Sequence, residues 1–136
     1  MNILIIGNGA REHAFADEIT KSRSNRLRNS RPDVGIFSLN ANYGLSALSK
    51  STNVDISDFF SIKEIILNKS IDMVLVGPEM PLINGISDFI NNDPDLKHIN
   101  VIGPSKHGSM LEGSKEFAKD FMNKYGIPTA SYSSFN

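Results

Sequence analysis

A chain of 136 residues with 40% hydrophobic side chains is long enough for one domain with a substantial core. The formal net charge of -1 and the pI near 6.3 give no reason to expect nucleic-acid binding. The sequence has no cysteine, which excludes disulfides and cysteine-based metal sites, and it has no apolar run long enough to cross a bilayer. We therefore expect a cytoplasmic protein without a membrane segment.

The first predicted element is a buried strand followed directly by a glycine loop. Residues 3–6 are four consecutive aliphatics, a pattern typical of a strand covered on both faces. Gly7 and Gly9 follow, and glycines let backbone N–H groups approach a ligand at the start of a helix. This stretch predicts a binding loop for an anion, with Arg11 as a candidate partner of the ligand.

A helix is predicted over residues 11–22, and a basic stretch over residues 21–31 follows. Helical spacing places Ala14, Phe15 and Ile19 on the side that faces the sheet. The basic stretch lacks interleaved aromatic residues, so we interpret it as a solvated loop rather than an RNA-binding arm. Its basic residues are Lys21, Arg23, Arg26, Arg28 and Arg31.

Four further strands alternate with helices along the next 80 or so residues, about the spacing of βα units. Helices are predicted over residues 82–91 and over residues 58–69, the latter with Ser57 or Asp58 as N-cap. The alternation predicts an α/β fold, a mostly parallel five-stranded Rossmann-like sheet with helices on both faces. The strands are predicted over residues 34–39, 53–56, 71–76 and 99–102.

Each predicted strand but the third leads into a loop rich in Gly, Pro or Asn. Because ligands bind beyond the carboxyl ends of parallel strands, we expect these loops to share one rim. Glu79 lies between two prolines in one of them, and a carboxylate there can accept hydrogen bonds from sugar hydroxyls. The alternative is a turn carboxylate bonded to nearby backbone N–H groups. The loops are residues 7–9, 40–44, 77–81 and 103–105.

The sequence argues against a dinucleotide site at the first loop. A Gly-x-Gly-x-x-Gly fingerprint would place its third glycine at Glu12, and the second strand ends at Asn40 without an acid for a ribose diol. We interpret Glu12 and His13 as residues that favour or pack the helix start rather than as catalysts. His98 and His107 lack companions at metal-ligand spacing, so no metal site is predicted.

A last helix is predicted from Ser114, ended by Gly126 and Pro128. Its apolar residues recur at helical spacing, which predicts a face turned toward the core. A strand could begin within residues 129–135. The apolar residues are Phe117, Ala118, Phe121, Met122 and Tyr125.

The ordered set of motifs resembles the phosphoribosylamine–glycine ligases, also called glycinamide ribonucleotide synthetases. The resemblance runs from Met1 to the last residues. Its motifs are Gly-Asn-Gly-Ala-Arg-Glu-His at 7–13, Gly-Pro-Glu-Met-Pro-Leu at 77–82, Gly-Pro at 103–104, Glu-Gly-Ser-Lys-Glu-Phe-Ala-Lys-Asp-Phe at 112–121 and Gly-Ile-Pro-Thr-Ala at 126–130.

The resemblance implies a part of an ATP-grasp ligase of purine synthesis. Such a ligase phosphorylates glycine with ATP, and the amine of 5-phosphoribosylamine attacks the glycyl phosphate to give glycinamide ribonucleotide, ADP and phosphate. Residues 1–112 would form the pre-ATP-grasp domain and residues 113–136 the start of a truncated ATP-grasp domain. ATP and Mg²⁺ would bind mainly in the missing domains, so the chain is not expected to be active alone.

The resemblance also assigns site residues. Gly7, Asn8 and Gly9 would line the phosphoribosylamine pocket, Glu79 would bind its ribose hydroxyls, and Lys115 would approach ATP phosphates. The loop after the second strand reads Leu-Asn-Ala-Asn-Tyr-Gly at 39–44, where the family usually has Pro-Gly-Asn-Ala-Gly. Two alternatives remain open at this point, a nucleotide-binding oxidoreductase module and a non-enzymatic binding module that uses the basic stretch.

Overall fold

The computed structural model describes residues 1–26 and 33–133. Their strands are β1 (Asn2–Ile6), β2 (Gly35–Leu39), β3 (Lys50–Thr52), β4 (Met73–Val76) and β5 (Asn100–Ile102). Their helices are α1 (Ala10–Arg26), α2 (Tyr43–Ser46), α3 (Phe59–Asn68), α4 (Glu79–Asn84), α5 (Ile86–Asn92), α6 (Lys106–Gly113) and α7 (Lys115–Lys124).

The strands form one parallel sheet in the order β3-β2-β1-β4-β5. β1 is central, with Ile3 opposite both Ile36 of β2 and Met73 of β4. The connections from β1 to β2 and from β2 to β3 therefore extend the sheet on one side of β1. The connection from β3 then returns the chain to β4, on the other side of β1. The predicted five-stranded Rossmann-like α/β fold is confirmed.

Two apolar clusters cover opposite faces of the sheet because side chains alternate along each strand. Leu4 and Ile6 of β1 point into the larger cluster, which packs beneath α3, α4 and α5. Ile3 and Ile5 point into the smaller cluster, which packs beneath α1 and α2. The continuous aliphatic run of β1 thus fills both layers of the core.

The predicted inner face of α1 is wrong. Over residues 10–22 of this helix the buried residues are Ala16 and Glu12, whereas Ala14 and Phe15 are exposed and Ile19 is half-buried. α1 also continues to Arg26, so residues 21–26 of the basic stretch are helical and not a loop. The rest of that stretch, residues 27–31, lies outside the described residues.

The third strand lies earlier in the chain than predicted. β3 covers Lys50–Thr52 and pairs with β2 alone, so it is the edge of the sheet. Residues 53–56 are not in a strand, although Val54 and Ile56 pack against the larger cluster. The apolar residues there contact the core from a loop, which is why they resembled a strand.

The helix predicted over residues 82–91 is two helices. α4 begins already at Glu79, and Gly85 separates it from α5 with a left-handed backbone at φ 97°. A residue with a side chain is strained at such a φ, whereas glycine adopts it readily. The loop predicted at residues 77–81 therefore leads at Glu79 into a short helix that leaves the rim of the sheet.

The end of the described chain differs most from prediction. α6, begun by the Ser105 side chain accepting a hydrogen bond from the Gly108 N–H, was not predicted. α7 forms as predicted, and Gly126 follows it with a φ of 65°, but none of its residues is buried. Residues 129–133 are not in a strand, and the last two residues of that prediction, 134 and 135, lie outside the described residues.

Candidate functional site

The carboxyl ends of β1, β2 and β4 bring three predicted loops together. The Gly77 N–H donates to the Ile6 carbonyl at 3.0 Å, which joins the loop after β4 to the end of β1. The Asn42 side-chain amide donates to the Asn8 carbonyl at 2.7 Å, which joins the loop after β2 to the glycine loop. These contacts place Gly7, Asn8 and Gly9 beside both neighbouring loops.

The fourth predicted loop, residues 103–105, follows β5 at the same edge of the sheet and packs beneath α4 and α5. A Cβ at Gly103 would lie 2.7 Å from Leu82 Cδ2. The Ser87 hydroxyl donates to the Gly103 carbonyl at 3.4 Å. This loop thus contacts both α4, which carries Glu79, and α5, and it packs against the inner side of these helices.

Glu12 is buried at the centre of the rim. Its residue exposure is 4%, and its Oε2 accepts a hydrogen bond from the Gly9 N–H at 2.5 Å. The nearest cation within residues 1–26 and 33–133 is Arg11, whose Nε lies 4.0 Å from Glu12 Oε1 and whose side chain is 60% exposed. A carboxylate of the chain itself thus occupies the space between the glycine loop and the loop after β4.

Three glycines are required by the position of this carboxylate. A Cβ at Gly77 would overlap the Glu12 carboxylate, and one at Gly9 would lie 2.8 Å from Glu12 Oε2. A Cβ at Gly7, whose φ is 120°, would lie 3.0 Å from Glu12 Cδ and 2.7 Å from Pro78 Cδ. Real Cβ contacts are longer, so these glycines make room for Glu12 and Pro78 as well as for any ligand.

The role of Glu12 is what sequence reasoning missed. An acid in the first turn of a helix usually lies at the surface, where it interacts with the helix dipole. The available signal was the pair of loops with glycine at residues 7, 9 and 77, since a buried side chain between two loops needs such small neighbours. His13 packs as interpreted, because a Cβ at Gly44 would lie 2.9 Å from its ring.

Glu79 lies at the first turn of α4 with its side chain exposed. No hydrogen bond or ion pair engages its carboxylate within residues 1–26 and 33–133, so the alternative of a turn carboxylate bonded to backbone is absent from that part of the chain. Tyr43, 94% exposed, begins α2 on the opposite side of the glycine loop. The rim therefore presents a free carboxylate and an exposed aromatic ring on either side of Asn8.

Lys115 belongs to none of the rim loops and is exposed at the start of α7. Lys119 is engaged by its own neighbours, since its Nζ donates to Thr129 Oγ1 at 2.6 Å and to the Ala130 carbonyl at 3.2 Å. Among the residues described, no group of three His, Asp or Glu side chains could hold a metal ion.

The residues that form this rim lie within a region that matches a known protein family. The profile described as "Phosphoribosylglycinamide synthetase, N domain" matches residues 1–112. The chain belongs to this family.

Curated relatives match the whole chain. A phosphoribosylamine–glycine ligase of Mesorhizobium japonicum is 40% identical over 136 residues, 100% of this chain and 29% of that protein. One from Caldanaerobacter subterraneus is 36% identical over 136 residues, 100% of this chain and 30% of that protein. A bifunctional purine biosynthetic protein of Pichia angusta is 37% identical over 139 residues, 99% of this chain and 16% of that protein. The chain thus spans less than a third of the length of these relatives.

Solved structures share the fold at low sequence identity. A glycinamide-RNase-transformylase T from Mycobacterium tuberculosis superposes with a TM-score of 0.63 at 12% identity, covering 96% of this chain and 37% of that one. A dTDP-glucose 4,6-dehydratase from Bacillus anthracis, solved with NAD, gives a TM-score of 0.56 at 12% identity, covering 94% of this chain and 52% of that one. At this identity both superpositions show the fold alone. No helix within the described residues is both long and apolar enough to traverse a bilayer.

Proposed function

We propose that this chain is the substrate-binding part of a ligase that joins glycine to 5-phosphoribosylamine with hydrolysis of ATP to ADP and phosphate. The family match over residues 1–112 carries this proposal, together with relatives of that name aligned along the entire chain. We propose residues 1–112 as the substrate-binding domain, and residues 113–136 as the beginning of the ATP-grasp domain. We also expect a cytoplasmic location.

We assign the phosphoribosylamine pocket to the rim between the glycine loop and α4. Gly7, Asn8 and Gly9 would form one wall, and Arg11 would approach an anionic group of the substrate from the start of α1. Glu79 would form the other wall, because an exposed carboxylate without a partner can accept hydrogen bonds from two adjacent ribose hydroxyls. Glycine would be the second substrate, bound outside this rim.

ATP and Mg²⁺ belong to this proposal through the reaction and not through a site in the described residues. Mg²⁺ neutralises the phosphates of ATP when it is bound. Lys115 is exposed and able to reach a phosphate group, and we propose it as the contribution of this chain to ATP binding. We expect the regions that lie beyond this chain in its relatives to supply the rest, so this chain alone should not carry out the ligation.

The pocket is tested with ribose 5-phosphate, which keeps the ribose hydroxyls and phosphate and lacks the labile amine. Titration calorimetry on the chain should give saturable binding. Glu79→Gln should weaken it about tenfold to a hundredfold, because a hydrogen bond to a charged group contributes about 1.5–3 kcal/mol. Glu112→Gln, the same change at an exposed position of α6, is the matched control.

Two results would contradict this assignment. If Glu79→Gln and Glu112→Gln bind ribose 5-phosphate like the unmodified chain, Glu79 does not contact the ribose. If the unmodified chain does not bind it at all, the rim is not a phosphoribosyl pocket in this chain.

The oxidoreductase alternative has only the shared fold in its favour. The dehydratase that superposes on this chain was solved with NAD, but at 12% identity that likeness extends to the fold and no further. Glu12 occupies the third glycine position of a dinucleotide fingerprint, and its carboxylate is buried there. We therefore do not propose this function.

A further inference from the structure

A carboxylate of the protein itself, that of Glu12, lies at the start of α1. In open parallel sheets the ligand crevice lies where the strand order reverses, which here is between the carboxyl ends of β1 and β4. The N-terminus of the helix that follows attracts negative charge, and nucleotide phosphates commonly bind there. In this chain the Glu12 carboxylate takes that place, with Oε2 2.5 Å from the Gly9 N–H.

Glu12 also fills the volume that a phosphate needs. Its Cγ and Cδ lie 3.0 Å from where a Cβ of Gly7 would be, and its Oε2 lies 2.8 Å from that of Gly9. A diphosphate that approached the backbone of these glycines would have to displace the side chain. With an exposure of 4%, the side chain has little open space into which to move.

The charge of Glu12 opposes a phosphate in addition to its volume. Like charges at close range repel strongly where water is largely excluded. Arg11 is the nearest described cation, and its Nε is 4.0 Å from Glu12 Oε1 with a largely exposed side chain. That distance and exposure leave the negative charge only partly compensated.

We propose that Glu12 is a specificity-determining residue that excludes the diphosphate groups of nucleotides from the glycine loop. It acts by occupying the helix start with its own carboxylate. The Gly7–Gly9 loop therefore offers a ligand a hydrogen-bond acceptor, where nucleotide-binding folds offer backbone N–H donors. The loop then suits the hydroxyl or amine groups of a ligand. This inference does not require the proposed ligase function, because it concerns what the loop rejects.

The test compares three variants of the full chain. Glu12→Gly makes residues 7–12 read Gly-x-Gly-x-x-Gly and removes both volume and charge. Glu12→Gln removes the charge and keeps the volume. Glu18→Gln makes the same charge change at an exposed position of the same helix, where Glu18 pairs with Lys21, and serves as the control.

Inorganic pyrophosphate is titrated by calorimetry and NADH by its fluorescence, with far-UV circular dichroism as the check on folding. We expect Glu12→Gly to bind both probes at least about tenfold more tightly than the unmodified chain, equivalent to about 1.4 kcal/mol. Glu12→Gln should gain affinity for pyrophosphate by a smaller factor, and Glu18→Gln should gain none.

The inference is overturned if the unmodified chain binds either probe as tightly as folded Glu12→Gly does. It is equally overturned if both Glu12 variants fold and neither gains affinity, since the side chain would then serve packing alone. Should Glu12→Gly fail to fold, Glu12→Gln decides, with a gain for pyrophosphate supporting the inference and no gain overturning it. Neither probe is a phosphoribosyl sugar, so failure here leaves the ribose 5-phosphate test of Glu79 unaffected.

Discussion

α3 and α7 are both ten-residue helices with an amphipathic pattern and a side-chain N-cap, yet they are packed in opposite ways. Ile62 and Ile66 of α3 are buried in the larger apolar cluster, whereas no residue of α7 is buried. Periodicity therefore reports that a helix has an apolar face, and it does not report whether another element covers that face. The difference lies in what each helix packs against, which local sequence does not encode.

Local contacts hold α7 in place of a core. The Ser114 hydroxyl accepts a hydrogen bond from the Phe117 N–H at 3.2 Å, and the Phe121 ring packs against Tyr125 at a tilt of 47° with ring centroids 4.6 Å apart. The Tyr132 hydroxyl donates to Asp120 and ties the following segment to the helix. We infer that α7 contributes little to the stability of the sheet domain.

The largest expected effect comes from truncating one apolar residue in each helix. Ile66→Ala in α3 should lower the free energy of unfolding by about 2–5 kcal/mol, because it leaves a cavity in the core. Phe121→Ala in α7 should lower it by less than about 1 kcal/mol, because the Phe121 ring is only half-buried and belongs to neither apolar cluster. Urea unfolding followed by circular dichroism measures both, and equal losses would mean that α7 belongs to the same cooperative unit.

Removing the two N-caps sharpens the comparison at a smaller scale. Asp58 accepts hydrogen bonds from the Phe60 and Ser61 N–H groups, and Asp58→Ala should cost about 0.5–2 kcal/mol of global stability. Ser114→Ala removes a similar cap from α7, but we expect faster hydrogen exchange of α7 amides with an unchanged unfolding midpoint. A shift of that midpoint as large as that of Asp58→Ala would contradict the distinction.

The smallest expected effect is a pH dependence confined to the α7 region. The hydrogen bond to Asp120 raises the pKa of Tyr132 above its ordinary value of 10.0. Because the folded pKa is the higher one, the contact stabilises fully below pH 10 and is lost as pH rises through the raised pKa. The protection factors of the α7 amides, which correct the exchange rates for their intrinsic base catalysis, should therefore fall as pH rises above 10, and Tyr132→Phe should abolish that fall. An equal fall in the variant would assign it to another group.

The sheet was predictable because its signals are repeated and agree with one another. The aliphatic run of β1, the strand and helix alternation and the glycine-rich loops all indicate one parallel architecture. The cap of α3 was also predictable, since Asp58 precedes a helical apolar pattern directly. β3 was misplaced because its three residues lie at the sheet edge and are largely exposed, so no apolar pattern marks them.

The candidate site was predictable in its loops and not in its interior. Loops that follow parallel strands must meet at one edge, and this brought Gly7 and Glu79 into the same prediction. The burial of Glu12 depends on two loops that approach each other across about 65 residues of sequence, a separation that local propensity does not reach. The same contact between distant loops determines which positions of α1 are buried, because Glu12 and Ala16 face inward together.

The central position of β1 has a consequence for how the chain folds. This strand needs partners on both sides, and its pairing with β4 joins positions 70 residues apart, as for Ile3 and Met73. During synthesis the apolar β1 segment must wait for β4 to emerge before its second edge is paired. Long-range parallel pairing of this kind slows folding. Until β4 pairs with it, the apolar β1 segment has an unpaired edge that can associate with other chains. We expect the interval between these two strands to be the period in which a nascent chain most needs protection from aggregation.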